Sequence, residues 1–341
     1  MLIQRAWMQK AYAWASAISP GRVGRACLYF SGGGVASAAL EVEDDRLKVR
    51  LRADPVTSLA EAGQMLAEQD RTLKLGRACN LVLAPELYST QLIERPNVAD
   101  DELIEAVRWK LKDQIDFPVE HAALDVFPLP ESAGRHQDMV FAVCLPQDML
   151  RGLVEAVDKV GLGITSIDIS ELALRNLSWH CFPMADQSVA LLRLTSNSGL
   201  INVCRSEDLF LSRRLSGVPT DLSDAAWLEF RDQLLLQVQR SLDYYQSAMG
   251  QPECNMLMVA CTDGWTQKVC DYLAEMLPMP VRSVREVLAS EVDLTLYNPE
   301  QARVDWQNLS EQQGNALAAA LPALGGALRF HIDQAHLEHV A

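Results

Sequence analysis

ACLYFSGGGVASAALEVEDDRLKVRL, residues 26–51, is the stretch on which the reading of this chain turns. Three short apolar runs, 26–30, 35–42 and 46–51, are broken by SGGG and EDD, and their alternation predicts a three-stranded antiparallel meander. Gly32, Gly33 and Gly34 predict a tight turn, since glycine tolerates positive φ. SVALLRLTSNSGLINVCRSEDLFLSRRL, residues 188–215, repeats the order of strand, polar turn, strand, acidic turn, strand. The two stretches align at an offset of 163 residues, Gly34 on Asn197 and Asp45 on Asp208. Both turns matching at one offset reads as a duplication.

Outward from each meander the pattern becomes helices alternating with strands. LAEAGQMLAEQD (59–70) is predicted helical, while ACNLVLAP (78–85) and YSTQLIERP (88–96) read as strands. In ADDELIEAVRWKLKDQI, Leu103, Val107, Leu111 and Ile115 recur every four residues behind an acidic first turn, which predicts an amphipathic helix. A strand (DMVFAVCLP), a helix closed by Gly161, another strand (ITSIDIS) and the helix ELALRNLSW complete the first half. The second half has a long helix at 224–249, the strand NMLMVACT, the helix GWTQKVCDYLAEML and a last helix near 315–330. This predicts an α/β protein of two related lobes, 25–179 and 186–330, with a basic helix at 1–24, a tail at 331–341 and a cleft between the lobes.

The balance of charge is −15, yet residues 1–40 hold Arg5, Lys10, Arg22 and Arg25 and no acid. The remainder carries 26 basic and 45 acidic side chains, which argues against nucleic acid as a partner. In the leading segment Ile3, Trp7, Trp14 and Ile18 fall on one helical face, with Arg5 opposite and Lys10 at the stripe's edge. Such a helix lies in a membrane surface or packs on the body or a partner; both readings stand. Eight scattered cysteines without a CxxC pair read as reduced, buried thiols. His331, His336 and His339 are badly spaced for zinc, because His331 falls about 140° from His336 on a helix, and no metal site is expected.

Longer motifs carry a resemblance. ELIEAVRWKLKDQIDFPVEHAALDVFPL (102–129), VDKVGLGITSIDISELALRNL (157–177), QVQRSLDYYQS (237–247) and ALPALGGALR (320–329) resemble the PilM family of type IV pilus assembly proteins, and within it the MshI proteins of MSHA-pilus biogenesis. The likeness runs from about 26 to 330, with Trp109, Ile115, Phe117 and Pro118 in the family's Trp-bearing helix and I-x-F-P turn. It implies an actin-like (RNase H-like) duplicated fold with a small α/β subdomain inserted at about 86–165. It also implies a cytoplasmic scaffold, peripheral at the inner face of the bacterial cytoplasmic membrane. There the first lobe and insert would dock the cytoplasmic N-terminal tail of a PilN-like inner-membrane subunit. Trp109 is expected first to pack the insert and second to present that groove, with Phe117 beside it.

Family members with a working site hold ATP and Mg²⁺ between the lobes through an Asp-x-Gly turn in each meander. Here no aspartate occurs from 26 to 43, and Tyr29 or Phe30 holds the equivalent place. Arg193 stands where the second acid would be, Thr195 replaces the glycine, and Gly264 alone remains of the adenosine-side turn. Without two metal-side carboxylates, Mg²⁺ has no holder and phosphoryl transfer no charge stabilisation. The expectation is a degenerate cleft, no resident cofactor and no ATPase activity. Arg193 keeps open the alternative of a nucleotide-binding switch or weak ATPase. A component related to type II secretion is a further alternative.

Overall fold

The computed structural model describes residues 26–43, 46–130, 132–134, 138–182, 187–220, 223–262, 264–291, 293–296 and 311–339. The expected leading helix (Ile3, Arg5, Trp7, Lys10, Trp14, Ile18) and the side chains of His331, His336 and His339 lie outside the described residues.

The first meander is β1 (Ala26–Ser31), β2 (Gly34–Glu43) and β3 (Arg46–Pro55), antiparallel throughout. Helix α1 (Leu59–Leu73) follows, capped by the Ser58 hydroxyl accepting from the Glu61 amide, and leads to β4 (Ala78–Leu83), parallel to β1. The chain then leaves the lobe for a small sheet of β5 (Ser89–Glu94), β6 (Ala122–Pro128) and β7 (Met139–Pro146), in the order β5-β7-β6, with α2 (Leu103–Leu111) on one face. Helix α3 (Gln147–Lys159) returns it to β8 (Gly163–Ile169), which pairs with β4 in the first lobe's sheet. The inserted sheet therefore spans 89–146, narrower than the expected 86–165. Helix α4 (Ser170–Cys181) crosses to the second meander, β9 (Ser188–Thr195), β10 (Ser198–Arg205) and β11 (Asp208–Leu215). Helix α5 (Asp224–Asp243) ends in a π-helical turn, Tyr244–Ala248, and β12 (Met256–Cys261) runs parallel to β9.

The closing elements are α6 (Trp265–Met276), β13 (Val281–Ser283), α7 (Val284–Glu291), β14 (Asp293–Leu296) and α8 (Glu311–His339). They do not stay in one lobe. Strand β14 pairs in parallel with β3, at the edge of the first lobe's sheet, and α8 lies against β1, β2, β3, β4 and α4. The second-lobe span of 186–330 is thus corrected: its last two elements complete the first lobe. Helix α8 also continues to His339, into the segment expected to be a tail.

Close packing explains that course. A Cβ on Gly325 would sit 1.9 Å from the Ala173 carbonyl oxygen, and one on Gly326 would sit 2.4 Å from Cys27 Sγ. Only glycine lets α8 come this near α4 and β1. Asn176 and Asn80 then donate to the Gly325 and Gly326 carbonyls at 3.2 and 2.9 Å.

The layers run α1 and α3, first sheet, α4 with α7 and α8, second sheet, α5 and α6. Strand parity decides what faces the middle. In β1, Cys27 and Tyr29 point into the central core while Ala26, Leu28 and Phe30 point outward to α1 and α3. In the inserted sheet, Val140, Ala142 and Cys144 of β7 pack on Leu103, Val107 and Leu111, while Phe141 packs on the second lobe and Val143 on the first.

Hairpin registers also correct the alignment. Ser31 pairs with Gly34 as Thr195 pairs with Ser198, an offset of 164. Glu43 pairs with Arg46 as Arg205 pairs with Asp208, an offset of 162. The difference arises because β2 has 10 residues and β10 has 8. Gly34 therefore matches Ser198 rather than Asn197.

Candidate functional site

The register resolves which residue of the first meander faces the cleft. Tyr29 and Arg193 occupy matching places in the two meanders, both on inward parity, and Phe30 belongs to the outer core. The Arg193 guanidinium lies over the Tyr29 ring, 5.7 Å from its centroid. Both are buried, at 4% and 7% exposure, so a cation–π pair links the two meanders. Burial pushes the Tyr29 hydroxyl up, against the opposing pull of Arg193.

Arg193 has a second tie. Pro322 lies within α8 and has no N–H to give the carbonyl four residues back, that of Ala318. Arg193 Nε donates to that oxygen at 3.1 Å. Its guanidinium is thus used in holding α8 together.

The other stations are engaged too. The Gly32 amide donates to Glu86 Oε1 at 2.8 Å, and the Gly33 carbonyl accepts from the Val56 amide at 3.1 Å. None of Gly32, Gly33 and Gly34 sits at positive φ, so the expected reason for the glycines is corrected; Asn197, at φ 61°, is the left-handed residue of the other hairpin. Gly34 alone is crowded, its Cβ site 3.1 Å from the Asp54 carbonyl oxygen. The Thr195 hydroxyl donates to the Ser198 carbonyl at 3.4 Å. Gly264 is left-handed at φ 74°, and its amide donates to Asn315 Oδ1 at 3.3 Å.

Two carboxylates that sequence reasoning missed lie near the cleft. Glu86 caps the glycine hairpin as described. Glu171, on α4, is buried and accepts from the Tyr88 hydroxyl, which itself accepts from the Ser170 amide at 3.2 Å. Burial holds the Glu171 carboxyl above its ordinary value, against the pull of the Tyr88 hydroxyl and of Arg214. From the second lobe, Arg214 Nη2 donates to the Tyr88 carbonyl at 2.9 Å and stacks 5.4 Å from the Tyr88 ring centroid. Asn202 Nδ2 donates to the Glu171 carbonyl at 2.9 Å. Glu86 thus takes up a hairpin amide that a nucleotide phosphate would otherwise use. Among the described residues no group of three His, Cys, Asp or Glu is placed to hold a metal ion.

On the insert, Leu103, Val107 and Leu111 form the buried stripe, and Trp109 faces away from it at 69% exposure. The expectation that Trp109 packs the insert is corrected: position 109 is about 200° from 107 at the helical step. Lys112 Nζ lies 5.6 Å from the centroid of its indole. Helix α2 ends at Leu111, so Ile115 lies beyond it, and Phe117 is half-buried against the insert's core. Arg108 Nη1 donates to the Val119 and Ala122 carbonyls at 2.7 and 3.0 Å, tying the DFPVEH turn to α2. Sequence reasoning also missed Leu59 and Met149, exposed at 44% and 41% in the first turns of the paired helices α1 and α3. An apolar residue opening an amphipathic helix reads as core, which hides them.

All eight cysteines are buried and free; burial pushes the Cys79, Cys204, Cys254 and Cys270 thiols up to about 12. No described helix is long and apolar enough to cross a membrane.

No family model matches the chain. No curated protein matches it. Among solved structures it is similar to the PilM–PilN type IV pilus biogenesis complex, with a TM-score of 0.64 and 20% identity over 90% of this chain and 98% of the other. It is also similar to a Bacteroides thetaiotaomicron protein of actin-like ATPase fold (TM-score 0.49, 10% identity, covering 78% and 95%). A third is the cytoplasmic domain of EpsL, an inner-membrane component of the Vibrio cholerae type II secretion system (TM-score 0.44, 15% identity, covering 86% and 93%). The first likeness shows the fold: the actin-like, two-lobed α/β plan.

Proposed function

We propose that this chain is a non-catalytic scaffold of a type IV pilus assembly platform, of the MSHA type, sharing both fold and role with the pilus protein it resembles. The observation that carries the reading is the pair at the acid positions: Tyr29 and Arg193 face each other there as a buried cation–π pair, and neither supplies a carboxylate for Mg²⁺. Its work is then recognition. An extended cytoplasmic tail of a PilN-like inner-membrane subunit lies against the insert and first lobe, with exposed Trp109, Leu59 and Met149 supplying apolar contact. The basic leading segment adds a second contact at the membrane's inner face and raises the local concentration of the tail.

Co-purification tests this. The full chain is expected to retain the neighbouring inner-membrane subunit and to lose it when the subunit's first cytoplasmic residues are deleted. Equal retention after the deletion would contradict the docking mode. An ATP-binding switch is the competing reading, and the glycine hairpin is the feature that favours it.

A further inference from the structure

We propose that the lobes are held shut by two arginine–tyrosine locks of the chain's own making, so that closure needs no ligand. The inference deepens the scaffold reading and rests on it.

In each lock the arginine comes from the second lobe and the tyrosine from the first: Arg193 over Tyr29, and Arg214 over Tyr88. Each arginine is also bonded to a main-chain carbonyl of the first lobe or of the helix packed on it. Arg193 holds Ala318, whose carbonyl Pro322 leaves free, and Arg214 holds Tyr88 at the root of the insert. Tyr88 is fastened in turn to Glu171 and Ser170 on the crossing helix. A third tie spans the far side, where Gln251 of the second lobe donates to the Ser132 carbonyl of the insert. Opening the cleft would strip both rings of their cations and take the Arg193 donor from the Ala318 carbonyl. A ligand moves two lobes only by its differential affinity for open and closed states, and here the closed state already holds the contacts a ligand would bring.

The test is hydrogen exchange and small-angle scattering on the full chain, with and without millimolar Mg-ATP. The wild-type protein is expected to give the same scattering and exchange in both conditions. Arg193→Met with Arg214→Met is expected to exchange at least about 10-fold faster at 170–181 and 314–329 and to scatter as a larger particle. Arg193→Lys with Arg214→Lys keeps charge without the planar fork and is expected to fall between. A folded methionine pair with wild-type exchange and scattering would overturn the locks. If the methionine pair does not fold, the lysine pair decides, and wild-type exchange there overturns them equally. Wild-type contraction on adding Mg-ATP would overturn them as well. Failure of the scaffold reading is seen separately, as loss of partner retention with exchange unchanged.

Discussion

Replacing Arg193 by methionine keeps an unbranched apolar stem and removes both of its polar contacts. The Ala318 carbonyl then has neither its helical donor, which Pro322 lacks, nor the guanidinium at 3.1 Å. A buried acceptor left without a partner costs about 1–3 kcal/mol. Loss of a desolvated arginine–aromatic stack adds about 1–2 kcal/mol. Relief from burying the cation offsets part of this, so a net loss of about 2 kcal/mol is expected. Pro322→Ala supplies the missing N–H to the same carbonyl. In that background Arg193→Met should cost less by about 1 kcal/mol or more, a coupling between residues that are not covalent neighbours. Urea unfolding of wild type, both single variants and the double variant measures the cycle. Additivity within about 0.5 kcal/mol would refute the claim that Arg193 stands in for the helix's missing hydrogen bond.

Three further outcomes follow from the same geometry. Because the Glu171 carboxyl is held above its ordinary value, its stabilisation is full below the ordinary carboxylate range and lost as pH rises through the raised value. Glu171→Gln keeps an acceptor for Tyr88, so thermal melts should match wild type in acid and exceed it at pH above neutrality; a lower midpoint at high pH would count against this. Trp109→Ala should change stability by no more than about 0.5 kcal/mol, since the ring is exposed, yet weaken retention of the inner-membrane subunit in pull-downs. Unchanged retention would remove Trp109 from the docking surface. Gly325→Ala, whose Cβ would meet the Ala173 carbonyl at 1.9 Å, should abolish the folded protein, whereas Gly33→Ala, with nothing within 4 Å, should melt as wild type does.

The meanders and the alternation around them were legible because strand parity and turn residues are local signals. What the sequence concealed was long-range. The return of β14 and α8 to the first lobe depends on Gly325 and Gly326 meeting Ala173 and Cys27, a contact no periodicity announces. Arg193 was visible as a departure from the acid, but its purpose was hidden until Pro322, 129 positions later in the chain, was seen to leave a carbonyl free. A tryptophan on an amphipathic helix reads as core, which conceals Trp109 although its spacing from Val107 places it on the outer face. Glu86 lies in no motif, and Glu171 sits unmarked within the 157–177 stretch; only the fold brings them to the cleft.

Calorimetric titration of the purified full chain with Mg-ATP tests the loss of the cleft's metal-side acids most directly. The stacked Tyr29–Arg193 pair leads to heats of dilution alone, with no saturable signal into the millimolar range. A saturating micromolar isotherm that disappears when Mg²⁺ is chelated would contradict it, and with it the reading of this chain as a dock rather than a motor.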